Sequence, residues 1–188
     1  MLFERLSEIF TGIIASTGYL GVFVLMVLES MVAPVPSELV MPFAGFLVAD
    51  GKLNLWLVIL ISTLASITGS LISYFIAFFG EKELIHKFGR FVLLDKEELG
   101  WTERWFRRHG SITIFISRFI PVVRHLISIP AGLARMDLKR FILFTAAGAT
   151  AWNTFLLWVG IQLRERWELV KQYSKPLDII VVILVAAV

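Results

Sequence analysis

The sequence contains no cysteine. Disulfides, cysteine-ligated zinc and thiol nucleophiles are therefore excluded, and the redox compartment leaves no mark on the chain. Charge is scarce: 18% of residues are Asp, Glu, Lys or Arg, against about a quarter in a soluble domain. Histidine occurs only as His86, His109 and His125, too scattered in sequence to mark a nucleophile–base pair or a metal cluster. No catalytic residue, metal ligand, cofactor or soluble partner is implied. The net charge of +3 is small, and without a reader motif it does not indicate nucleic acid. Basic residues beside apolar runs fit acidic lipid headgroups better. The N-terminus reads as mature sequence rather than a secretory leader. Glu4 and Glu8 flank Arg5, Gly12 interrupts a short apolar stretch, and no small-residue cleavage site follows.

What abounds is apolar surface. Hydrophobic residues make up 57% of 188, more than one domain's core can hide, so the surplus must face lipid. Leu2, Leu6, Ile9 and Ile13 share one face of an amphipathic helix suited to the membrane interface. Leu55 to Phe79 and Phe141 to Leu163 carry no charge, and each exceeds the roughly 20 residues needed to cross hydrocarbon. Small residues stripe both runs (Ala65, Ser66, Gly69, Ser70 and Ser73; Ala146 to Ala149 and Ala151), which lets helices approach closely.

Two other apolar stretches are broken in the middle. Tyr19 to Leu28 meets Glu29, then Pro34-Val35-Pro36-Ser37-Glu38, and resumes from Leu39 to Ala49. Ile112 to Ile116 meets Arg118, Pro121, Arg124 and His125, then Pro130-Ala131-Gly132 before Arg135. Neither half of either stretch is long enough to span. Proline and charge at the break require burial in protein or a wet groove. Each stretch reads as a re-entrant hairpin, the alternative being one kinked span. Pro34, Pro42 and Ala44-Gly45 echo Pro121, Pro130 and Ala131-Gly132, and each hairpin precedes one clear span. That pattern predicts an inverted repeat with hairpins entering from opposite faces.

The expected architecture is an all-α, polytopic membrane protein. One membrane domain covers 1–188. A first repeat occupies 1–79 and a second 80–163, each with an interfacial helix, a hairpin and a span; 164–188 begins a C-terminal helix. In the polar stretch Gly80 to Gly110, Asp95 and Glu98 have capping-box spacing and Gly110 is placed to close an interfacial helix. Its lysines and arginines, with Arg135, Lys139 and Arg140, put that side inside, although Arg164, Arg166, Lys171 and Lys175 count against it. Asp50 and Lys52 read as interfacial turn residues.

A charge at mid-membrane costs about 2.5–3.5 kcal/mol even on the lenient insertion scale. Glu29, Glu38, Arg118 and Arg124 must therefore face a protein interior or a hydrated groove. The first hairpin supplies acids and the second arginines. They form either a structural ion-pair network, of small net stability, or a site. As a site, Arg118 and Arg124 match two phosphate oxygens at once. Half-helices starting near Pro36 and Ser128–Pro130 add free N–H groups. Glu29 and Glu38 become candidate proton carriers, competing with a bound anion for the arginines. Pro34, Pro36, Ser37, Pro121, His125, Pro130 and Gly132 support the hairpins.

Glu29, Pro34-Val35-Pro36-Ser37-Glu38, Gly69 to Tyr74 with Gly80, Arg118-Phe119-Ile120-Pro121-Val122-Val123-Arg124, Pro130-Ala131-Gly132 and Trp152 together resemble the DedA family, also called VTT-domain or SNARE-associated-type membrane proteins. The resemblance runs from about Gly18 to Gly160. It implies opposed re-entrant hairpins in a multi-pass protein of the bacterial plasma membrane. It also implies transport of lipid phosphates, chiefly undecaprenyl phosphate recycling, coupled to protons or the membrane potential. Glu29 and Glu38 match the family's functional acids, and Arg118 and Arg124 its arginines. The alternatives are an energy-independent phospholipid scramblase, a lipid phosphatase and a structural anchor. Partners are membrane lipids and an anionic lipid phosphate, with homo-oligomerisation left open.

Overall fold

Residues 12–31, 37–80 and 96–165 are described in a computed structural model of the chain, and they are helical between short turns. After a helical segment at 12–17 come α1 (Tyr19–Ser30), α2 (Ser37–Ala49), α3 (Leu55–Phe79), α4 (Lys96–Ser117), α5 (Pro121–Leu126), α6 (Ser128–Leu133) and α7 (Leu138–Glu165). Most of the interfacial helix expected at the N-terminus, with Leu2, Leu6 and Ile9, lies outside the described residues. So do Pro34, Pro36, segment 81–95 and the C-terminal segment from 166.

Length separates the helices into two kinds. α3 and α7, of 25 and 28 residues, extend about 38 and 42 Å at 1.5 Å per residue. Both are long and apolar enough to cross a membrane. α1 and α2, of 12 and 13 residues, reach only about 18–20 Å, short of a hydrocarbon core of about 30 Å. α3 is apolar outside and small or polar inside. Trp56, Leu57, Leu60, Leu64, Phe75, Ile76 and Phe79 are exposed, while Ser62, Ala65, Ser66, Gly69, Ser70 and Ser73 are buried. A water-soluble helix shows the opposite pattern; lipid accepts this one and leaves the small face for helix packing. α2 is buried on nearly every side from Ser37 to Leu47.

Packing crosses between the two halves of the chain. α1 lies on α3, but α2 lies on α7 and α6 on α3. Glycine makes both crossings possible. A Cβ on Gly160 would strike the Pro42 backbone, and one on Gly132 would strike the Tyr74 carbonyl. Polar pairs tie α3 to α7 between these crossings: Thr63 and Thr150 hydroxyls lie 2.9 Å apart, and the Asn153 amide donates to Ser66 Oγ at 3.4 Å.

The turns before both long helices follow one plan. α2 closes with Gly51 N–H on the Val48 carbonyl and Lys52 N–H on the Leu47 carbonyl, a Schellman motif with Gly51 at the left-handed position. Asn54 then accepts from the Trp56 and Leu57 N–H groups to start α3. α6 closes with the equivalent bonds from Arg135 to Gly132 and Met136 to Ala131, and Asp137 accepts the Arg140 N–H to start α7. Asp50 and Lys52 do sit in a turn. Asp50 also accepts a 2.9 Å bond from Arg164 Nε at the far end of α7. Both partners are substantially exposed, so Asp50→Asn should change the thermal unfolding free energy in detergent by no more than about 1 kcal/mol.

Gly110 does not end the polar helix, contrary to expectation: α4 runs through it to Ser117. An interior glycine costs about 1 kcal/mol against alanine. Continuation places Ile114, fully buried, against Tyr74, Ala131 and Phe141, and burial of a side chain of that size gives about 1.5–3 kcal/mol. Tertiary packing therefore overrides the local stop signal.

Candidate functional site

α1 ends on Glu29 and Ser30, both buried, and α2 begins with buried Ser37 followed by Glu38. The first broken stretch thus delivers both acids to the ends of short helices. The second breaks at 118–120, where three successive N–H groups bond three residues back: Arg118 to Phe115, Phe119 to Ile116 and Ile120 to Ser117. Ile120 is extended (φ −107°, ψ 112°) and α5 restarts at Pro121. A residue before proline disfavours the helical region, and proline at a helix start lacks only an N–H that would have had no partner. Arg118 and Arg124 therefore flank a break written into Ile120-Pro121.

Arg124 is the hub. Its Nη2 lies 2.8 Å from Glu29 Oε1, 3.1 Å from Glu38 Oε2 and 2.5 Å from Ser37 Oγ. Ser30 donates to the other Glu29 oxygen at 2.8 Å. The Arg124 guanidinium also stands 5.7 Å from the centre of the Trp152 ring, within cation–π range. Three oxygens crowd one nitrogen that has two protons, so they compete. Glu38 is held least firmly, with the longest contact and with Oε1 buried and without a hydrogen-bond partner among the described residues.

Arg118 is held differently. Its Nη1 donates to the Arg124 carbonyl at 3.2 Å and its Nη2 to Thr145 Oγ1 at 3.1 Å, both neutral acceptors. Gly148 makes room for it, since a Cβ there would meet the Arg118 side chain at 2.8–2.9 Å. Both arginines are 4% exposed. The Nε of each is buried and has no hydrogen-bond partner among the described residues. The cleft between these groups, lined by Glu29, Ser66, Arg118, Arg124, Trp152 and Asn153, has a volume of about 10 Å³. That is about one water molecule's room, so the site is closed to anything the size of a phosphate.

Glu29, Glu38, Ser37, Arg118 and Arg124 converge as their sequence positions imply. Gly132 belongs elsewhere, at the α6–α3 crossing. Pro130 lies within α6, and Pro121 opens α5; the His125 side chain, like Pro34 and Pro36, falls outside the description. Sequence reasoning missed Thr145, Gly148 and Asn153 as parts of the site and gave Trp152 no role. Their signal was present: Thr145, Gly148 and Trp152 follow at three and four residues, the spacing of one helix face, with Asn153 beside Trp152.

A helical bundle that turns its large apolar side chains outward and encloses an arginine–carboxylate cluster is a membrane protein with a charged site in its core. Residues 35–162 match the VTT domain, a stretch that takes in Ser37, Glu38, both arginines and Trp152. The chain belongs to the DedA family of VTT-domain membrane proteins. It is 32% identical to undecaprenyl phosphate transporter A of Bacillus subtilis, over 96% of this chain and 91% of that one. It is 34% identical to an alkaline phosphatase-like protein of Lactococcus lactis subsp. lactis, over 97% and 88%. It is 29% identical to Protein DedA of Escherichia coli, over 66% and 58%. No solved structure gives a significant match.

Proposed function

We propose that the protein carries the phosphate headgroup of a polyprenyl lipid, undecaprenyl phosphate, across the bacterial plasma membrane while the tail stays in lipid. The observation that carries this reading is the Arg118–Arg124 pair, buried with both Nε groups unpartnered among the described residues, next to carboxylates that already compete for Arg124. A phosphate monoester supplies oxygens for both guanidiniums. Admitting it requires the closed cleft to open, and the phosphate then replaces Glu29 and Glu38 on Arg124. A displaced carboxylate takes a proton more readily than a paired one, which couples headgroup binding to protons. Glu38, the less firmly held acid, is the principal carrier and Glu29 the anchor. The name of the relative from Bacillus subtilis supports transport over catalysis.

The architecture fits this role as an inverted repeat. α1–α2 and α5–α6 act as opposed re-entrant hairpins, and α3 and α7 as membrane-crossing helices of a multi-pass protein. The exchanged packing of α2 on α7 and α6 on α3 supports that arrangement, as do the matching turns before both long helices.

The test is headgroup exposure in liposomes holding the full chain and undecaprenyl phosphate, with and without an imposed pH gradient. Arg118→Gln should slow movement about 10- to 100-fold, the loss of a charge-assisted contact of about 1.5–3 kcal/mol. Glu38→Gln should remove the response to the gradient. Equal movement of every phospholipid would make the protein a scramblase, and no movement by wild-type protein would overturn transport.

A further inference from the structure

A second concave region lies away from the arginine–carboxylate cluster. It is a cavity of about 520 Å³ between the middle of α4 and the turn that starts α7. Arg108, His109, Arg135, Asp137 and Arg140 supply its polar lining. Three arginines thus line it with one acidic residue, and that carboxylate is engaged in capping α7 through the Arg140 N–H. The wall is firmly set, because the Tyr74 hydroxyl donates to the Met136 carbonyl at 2.6 Å. The Arg135 guanidinium is stationed 5.3 Å from the centre of the Phe78 ring.

Arg135 is the informative residue. It occupies the left-handed position of the Schellman motif (φ 50°), where glycine is the unstrained residue and a side chain is disfavoured. The corresponding turn after α2 uses Gly51. The turn does not explain an arginine at this position, which lays its guanidinium on the Phe78 ring and lines the cavity. A lysine- or arginine-rich membrane boundary alone requires neither a cavity nor convergence from two separate segments.

The geometry points to a second anion site, for a phosphate monoester, at the membrane boundary where α7 begins. Ile112, 60% exposed at its rim, gives a lipid chain an apolar surface to lie on. The site is independent of the core cluster and stands whether or not that cluster moves lipid. Within the transport reading it would receive or release the headgroup at one end of its path.

Binding of dioleoyl phosphatidate and of inorganic phosphate to the full chain in neutral detergent tests this, with dioleoyl phosphatidylglycerol as a monoanionic comparison. Arg135→Gly should weaken phosphatidate binding about tenfold while leaving the melting temperature unchanged or raised, since the turn loses its strain. Arg108→Gln with Arg140→Gln should weaken it further. Phosphatidate binding with little binding of inorganic phosphate identifies a lipid headgroup site; comparable binding of both identifies a site for free phosphate as well. Wild-type affinity in Arg135→Gly, or equal affinity for phosphatidylglycerol, would overturn the proposal and leave only a positively charged flank. Loss of transport in Arg118→Gln with the Arg135-dependent part of phosphatidate binding retained would show the two sites to be separate.

Discussion

Arg124→Gln is expected to abolish movement of undecaprenyl phosphate in liposomes and to lower stability by about 3–5 kcal/mol. The reason is what the substitution leaves behind. Glu29 and Glu38 have side chains only 5% and 10% exposed, and both pair with Arg124 Nη2. Removing the guanidinium takes from two buried carboxylates the ion pair they share, a loss that is strongly unfavourable in an interior. Combining Arg124→Gln with Glu29→Gln and Glu38→Gln should therefore recover much of the melting temperature but none of the transport. Arg118→Gln makes the contrast. Arg118 hydrogen-bonds a carbonyl and a hydroxyl, so its loss should lower stability less, by about 1–3 kcal/mol. Thermal unfolding in detergent beside the liposome assay separates the two residues. Equal stability losses would show that the arginines share one role.

Gly160→Val should be nearly as damaging without touching a charge. Any Cβ at 160 would overlap the backbone of Pro42, which no side-chain rotation can relieve. At Gly45 on the facing helix, a Cβ would lie 2.5 Å from the Leu157 carbonyl. α2 and α7 would have to separate, at a cost of about 3 kcal/mol, and the helix carrying Glu38 would shift with them. Yield of monodisperse protein and melting temperature report the first effect; transport reports the second. Gly12→Ala is the control. Nothing lies within 4 Å of a Cβ there, and alanine in that helical segment should stabilise by about 0.5–1 kcal/mol.

Much of this was legible in the sequence for a simple reason: lipid makes charge and proline conspicuous. Glu29, Glu38, Arg118 and Arg124 stand out against apolar neighbours, and Ile120-Pro121 announces the break between the arginines. The two long helices followed from uncharged length alone. The stripes in α3 and α7 implied that these helices pack on each other or on a broken element, and they do both. Which broken element each takes did not follow, because a stripe such as Ser66 to Ser73 does not name its partner. Nor did the division of labour between the arginines, which depends on Thr145 and Gly148, residues with no chemistry of their own to attract notice. Gly110 misled because a local stop signal worth about 1 kcal/mol was weighed without the burial of Ile114.

The exchanged packing also has a consequence for biogenesis. α2 finds its main neighbour in α7, which lies more than a hundred residues later in the chain. At a synthesis rate of about 5–20 residues per second, Ser37 and Glu38 wait on the order of ten seconds for that partner. During this interval a short helix with an acid at its start has neither the length to remain across the bilayer nor its arginine. The first half is thus a client before it is a fold, dependent on the insertion machinery until the second half closes over it. Co-expression of residues 1–79 and 80–188 as separate chains would remove the wait, and the two should assemble with each other more readily than either persists alone.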